Sequence, residues 1–153
     1  MSRHLFVSIA MSGAAACASA APMVSVDHPE AAQTPASKPV TTSLLRTATT
    51  ISGQPLKLPQ GPVEMAAAAV DLPAGARLPL HRHPWSRFVY VEKGRVAIHN
   101  RVTGATVEAA AGQALAEVVA QWHEAEALDG AAARLVVFDL VPPGVVNMEM
   151  PPK

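Results

Sequence analysis

The stretch that decides the fold is Gly75-Ala76-Arg77-Leu78-Pro79-Leu80-His81-Arg82-His83-Pro84-Trp85-Ser86-Arg87-Phe88-Val89-Tyr90-Val91-Glu92-Lys93-Gly94. Two short strand-like runs, 77–83 and 87–92, are separated by Pro84 and closed by Lys93-Gly94. Side chains two apart on a strand share a face, so His81 and His83 converge. Either histidine alone would read as an ordinary core or surface residue. A third, His123, opens another strand-like run, and Gly94, Gly104 and Gly112 supply chain reversals that bring it back beside the pair. Three imidazoles from two strands make one face of a metal coordination sphere and leave the remaining positions open to water or substrate.

Outward from this stretch the pattern repeats. Short apolar or alternating runs occupy 56–58, 63–72, 105–109, 114–119, 122–128 and 132–140, with turn residues at 59–62, 73–75, 103–104, 111–112 and 129–130. Many short strands at this spacing predict an all-β fold, a small antiparallel barrel or jelly roll over residues 44–143. Alanine makes 64–70 and 108–120 helical by propensity alone, but the glycines leave segments too short for independent helices. If His123 faces inward, Ala125 and Ala127 do too, while Glu124 and Glu126 face out. Residues 144–153 read as a C-terminal tail, frayed from Met148 onward.

The ends and the composition narrow the function. Residues 1–20 carry a short basic start at Arg3, an apolar run and a small-residue site at Ala18-Ser19-Ala20, as in a secretory signal peptide. Residues 21–43, rich in Pro, Ala, Ser and Thr, read as a flexible linker. The expected location is therefore the periplasm or the exterior. Cleavage would remove Cys17, the single cysteine, and with it any disulfide; lipidation at Cys17 is the alternative, although Ala14 stands where a lipobox prefers Leu. Twelve basic residues against twelve acidic ones leave no electrostatic footprint for nucleic acid. No run in the mature part is long and apolar enough for a transmembrane segment. The partner that fits is a small-molecule ligand or substrate.

On these residues the chain resembles the cupin superfamily. The family's first motif runs Gly, five residues, His-x-His, three or four residues, Glu, six residues, Gly, and Gly75, His81, His83 and Gly94 stand in register. The second runs Gly, five residues, Pro-x-Gly, two residues, His, three residues, Asn, and Gly112 and His123 fit it. The resemblance covers roughly residues 63–143. It implies a β-barrel, one divalent transition metal on His81, His83 and His123, and a homodimer joined through barrel edges. Three-histidine sites of this kind resemble those of cupin dioxygenases, which implies Fe for an oxygenase, with Mn, Ni, Cu or Zn as alternatives.

The departures bear on chemistry. The first motif's Glu falls at Arg87, and the second motif's Pro, Gly and Asn fall at Val118, Ala120 and Ala127. A guanidinium facing a divalent ion is repelled. Arg87 therefore turns away, pairs with a carboxylate such as Glu117, or meets an anionic substrate held by the metal. Gln121, two before His123, is a candidate fourth or outer-sphere ligand, or simply hydrogen-bonds the nearby turn. Trp85 and Trp122 flank the histidines and Tyr90 follows them, candidates for substrate contact, although packing is the plainer role for Phe88 and Tyr90. Two functions follow: a metal-dependent oxygenase acting on a small organic acid, or a non-catalytic cupin that captures a ligand or metal. They divide on whether Tyr90 or Glu117 faces the site as a general acid or base.

Overall fold

Alternation of small apolar and polar residues builds the strands, and burial follows it residue by residue. The structure is a computed structural model that describes residues 38–153. The expected signal peptide, Cys17 and most of the linker lie outside the described residues. Eight strands follow in order: β1 (Glu64–Leu72), β2 (Arg77–His81), β3 (Arg87–Lys93), β4 (Arg95–Asn100), β5 (Thr106–Ala110), β6 (Ala114–Ala116), β7 (His123–Ala127) and β8 (Ala133–Val141). The alanine-rich segments are strands, and no helix occurs among the described residues. Pairing with neighbours overrides the weak helical preference of alanine.

The strands form two antiparallel four-stranded sheets, ordered β1-β8-β3-β6 and β2-β7-β4-β5. The fold is all-β, as expected. Val89, Val91, Leu135 and Val137 from the first sheet meet Val96, Ile98, Ala125 and Ala127 from the second in one core. In β7 and β8 every second residue is buried, which leaves Glu124 and Glu126 on the outer side of β7. Glu124 pairs with Arg101, and Glu126 with Arg77 and His99.

Three differences from the sequence reading have local causes. Residues 56–58 form no strand; Pro55, Pro59 and Pro62 remove donors on either side of them, and the nearest pairing is a single bridge between Thr49 and Pro55. β2 stops at His81, after a register irregularity between Leu78 and His81 that spans Pro79. The tail does not fray at Met148. Arg82 and Glu149 exchange both backbone hydrogen bonds, at 2.9 and 3.0 Å, and Arg82 Nε donates to Glu149 Oε2 at 2.6 Å.

Two backbone positions carry opposite demands. Gly94 turns β3 into β4 at φ +77°, and a Cβ there would lie 2.5 Å from the Ala132 carbonyl oxygen and 2.9 Å from the Ala133 Cα. Ala120, where the second motif has Gly, sits at φ 55° and donates its N–H to the His83 carbonyl at 2.7 Å. The left-handed conformation costs an L-residue about 1–2 kcal/mol. Gly94→Ala should therefore destabilise by about 2–4 kcal/mol, from strain plus backbone clash. Ala120→Gly should stabilise by about 0.5–1 kcal/mol, strain relief less the added chain entropy. Urea unfolding midpoints of the two variants, moving in opposite directions, check both.

Candidate metal centre

Register brings the histidines together. His81 on β2 lies directly opposite His123 on β7, and His83 follows two residues after His81, where the chain leaves β2. The three rings stand 4.3–5.1 Å apart between centroids. All three residues are buried, His83 and His123 completely.

Each ring is held by a backbone carbonyl at Nδ1: His81 by Pro79 O at 2.6 Å, His83 by Asn147 O at 2.5 Å and His123 by Gln121 O at 2.9 Å. A carbonyl only accepts, so Nδ1 is the donor in all three. In the neutral ring this leaves the lone pair on Nε2, the arrangement that metal-binding histidines share. The three offer ligand nitrogens within 4.8 Å of one another. Among the described residues, His123 Nε2 is the one buried side-chain atom without a hydrogen-bond partner. A convergent set of imidazole donors with such an orphan nitrogen fits a divalent transition metal.

Burial favours the neutral rings. Desolvation pushes His83 down to about 4, with Arg87 adding to the effect against Glu117, and likewise lowers His81. His123 is also opposed by burial, but Glu117 outweighs it and raises this imidazole above its ordinary value. Burial pushes the Glu117 carboxyl up in turn, yet His123, His83 and Arg87 together bring it below the usual carboxylate range.

The structure places Arg87 on a carboxylate that the sequence reading did not name. Its Nε and Nη2 donate to the two oxygens of Asp139, both at 2.7 Å, across the β3–β8 pair where the two residues are register partners. Nη1 remains, and donates to His83 Nε2 at 3.2 Å. Asn147 Nδ2 donates to Asp139 Oδ1 at 2.6 Å, and its Oδ1 accepts from the Trp85 N–H at 2.9 Å. Arg87, Asp139, Asn147 and His83 are thus one connected network. One signal for Asp139 was present in the sequence: it is the charged residue at an inward position of an alternating strand. Asn147, beyond Pro142-Pro143-Gly144, has no such signal.

The remaining candidates separate. Glu117 faces inward, one oxygen 3.4 Å from His83 Nε2 and the other 3.4 Å from His123 Nε2. Gln121 reaches the centre through its backbone carbonyl; its side-chain Oε1 accepts from Asn100 Nδ2 at 2.7 Å, on the residue that starts the turn after β4. Tyr90 lies on the opposite face of β3 from the buried Val89 and Val91. Trp122 stacks under the Arg82 guanidinium at 4.7 Å. Trp85 lines an open surface cleft of about 900 Å³, with Pro55, Leu58 and Val119. The interior space beside the histidines is about 80 Å³, bounded by His81, Arg87 and Glu117 on its polar side, by apolar core residues, and by Met148 of the tail.

Residues 68–139 match the family model described as a cupin domain. Solved structures with a similar fold include the cupin domain of Schizosaccharomyces pombe Cnp3, at 16% identity, covering 51% of this chain and 56% of that one, with a TM-score of 0.44. An RmlC-like cupin from Shewanella frigidimarina aligns at 20% identity over 53% of this chain and 69% of that one, TM-score 0.45. The DMSP lyase DddQ from Ruegeria pomeroyi aligns at 17% identity over 56% and 42%, TM-score 0.49. The chain thus spans little more than half the length of the Schizosaccharomyces pombe domain. No curated protein matches it.

The ion pair at Arg87 is nearly buried on both sides, with side-chain exposures of 11% and 12%. Removing one partner of such a pair strands the other charge. Asp139→Ala should destabilise the protein by about 3–5 kcal/mol in chemical denaturation, more than a substitution at an exposed pair such as Arg95–Glu108.

Proposed function

Because the chain belongs to the cupin superfamily, we propose that His81, His83 and His123 hold one divalent transition-metal ion and that the protein acts on a small organic acid bound beside it. The observation that carries this reading is the shared restraint of the three imidazoles, whose Nδ1–H groups are all tied to backbone carbonyls. Such a centre, when loaded, supplies a Lewis acid with open coordination positions, and with iron it supplies oxygen chemistry. The chain's own residues set the limits. An interior space of about 80 Å³ is far below the roughly 300–1,000 Å³ of drug-sized pockets, so the ligand has few heavy atoms. Arg87 has one guanidinium nitrogen, Nη1, directed at the centre, because Asp139 occupies the other two. It orients an acid group through one hydrogen bond rather than a two-pronged clamp.

The second reading is a non-catalytic role in capturing a metal or a small ligand. Tyr90 faces away from the interior, so the site's acid–base capacity rests on Glu117 alone among the two candidates.

Metal analysis of protein purified without added metal, beside His81→Ala and His123→Ala, tests the centre. One equivalent is expected in wild type and almost none in either variant; a wild type that cannot be loaded with Fe, Mn, Ni, Cu or Zn sinks the reading. Oxygen uptake with small thiols and short organic acids then separates an oxygenase from a binding protein.

Export is part of the proposal and rests on the leader-like residues 1–20. The mass of the mature chain from the producing cell should correspond to a start at Ala21; an intact start at Met1 would count against export, and a lipid-modified Cys17 would favour anchoring instead.

A further inference from the structure

We propose that Glu117, the residue just past β6, is the carboxylate ligand of the centre, beside the position where the first motif ordinarily carries its Glu. The inference rests on the three-histidine metal reading above and extends it to the donor set. Positions 87 and 117 are neighbours across the sheet: Phe88 pairs with Ala116 in the β3–β6 register, and the Glu117 N–H donates to the Arg87 carbonyl at 2.9 Å. A carboxylate moved from 87 to 117 is displaced by one strand spacing, about 4.8 Å, which is within the reach of a glutamate side chain.

The side-chain geometry agrees. Glu117 is 6% exposed, and its two oxygens stand 3.4 Å from the Nε2 atoms of His83 and His123. Ligands held about 2.1 Å from a common ion lie about 3.0–3.4 Å from one another in octahedral or tetrahedral arrangements. Glu117 is already at that separation from two of the three imidazoles. The cation that would otherwise claim it is committed elsewhere, since Asp139 takes two nitrogens of Arg87. An arginine stands where the motif has its Glu, Glu117 stands beside it, and Asp139 neutralises the arginine.

The test uses Co²⁺ as the probe on the full chain. Glu117→Gln, which keeps the shape of the side chain, should weaken Co²⁺ binding at least tenfold in chelator competition and alter the visible d–d bands. Glu108→Gln, on the exposed side of the second sheet, should change neither. Infrared difference spectra of wild-type protein labelled with ¹³C-glutamate, recorded with one equivalent of Co²⁺, should show a shifted carboxylate stretch and do not depend on any variant folding. Unchanged affinity and bands in folded Glu117→Gln, or a difference spectrum without a carboxylate shift, overturns the proposal and leaves the three-histidine centre standing. Wild type that takes up no Co²⁺ overturns both.

Discussion

A guanidinium placed between two apolar sheets has to meet a carboxylate or escape to water, and in this protein Arg87 meets Asp139. Much of the site hangs on that pairing. The pair spans β3 and β8 at a register position, and Asn147 adds its amide to the same carboxylate. Asn147 also offers its carbonyl to His83 and its side-chain oxygen to the Trp85 backbone. One ion pair therefore ties together the strand that carries Arg87, the imidazole at the centre and the chain segment beyond the last strand.

That segment closes one side of the interior. Met148 borders the cavity, and Glu149 bridges to Arg82 between His81 and His83. The residue between the two histidines thus anchors the tail from outside while the histidines themselves point inward, a direct use of strand alternation. Trp122 beneath the Arg82 guanidinium adds a second contact at the same place. The small size of the cavity follows from this closure and from the branched residues Val89, Val96, Ile98 and Val137 that fill the space between the sheets.

Much of the architecture was legible along the chain. The runs ending at His83, Glu92, Ala109 and Leu140 correspond to strands whose ends differ by one or two residues, and the inward phase of Ala125 and Ala127 follows from that of His123. The run 56–58, flanked by Pro55 and Pro59, and the order of the tail at Met148 were misread, because the conformation of a short irregular segment depends on what it packs against. Around the centre, the three histidines could be grouped from spacing and turns. The partner of Arg87 and the direction of Glu117 could not.

Local pattern alone sets which faces of the strands point inward, where the chain turns, and that His81 and His83 share a face. These are consequences of a two-residue period and of glycines at reversals, both local in the chain. Only the tertiary structure decided how charge is distributed around that site. Asp139 lies 52 residues from Arg87 and Asn147 lies 64 from His83, and pairing over such separations is set by sheet order and register. The same register lays Glu117, the residue after β6, beside Arg87.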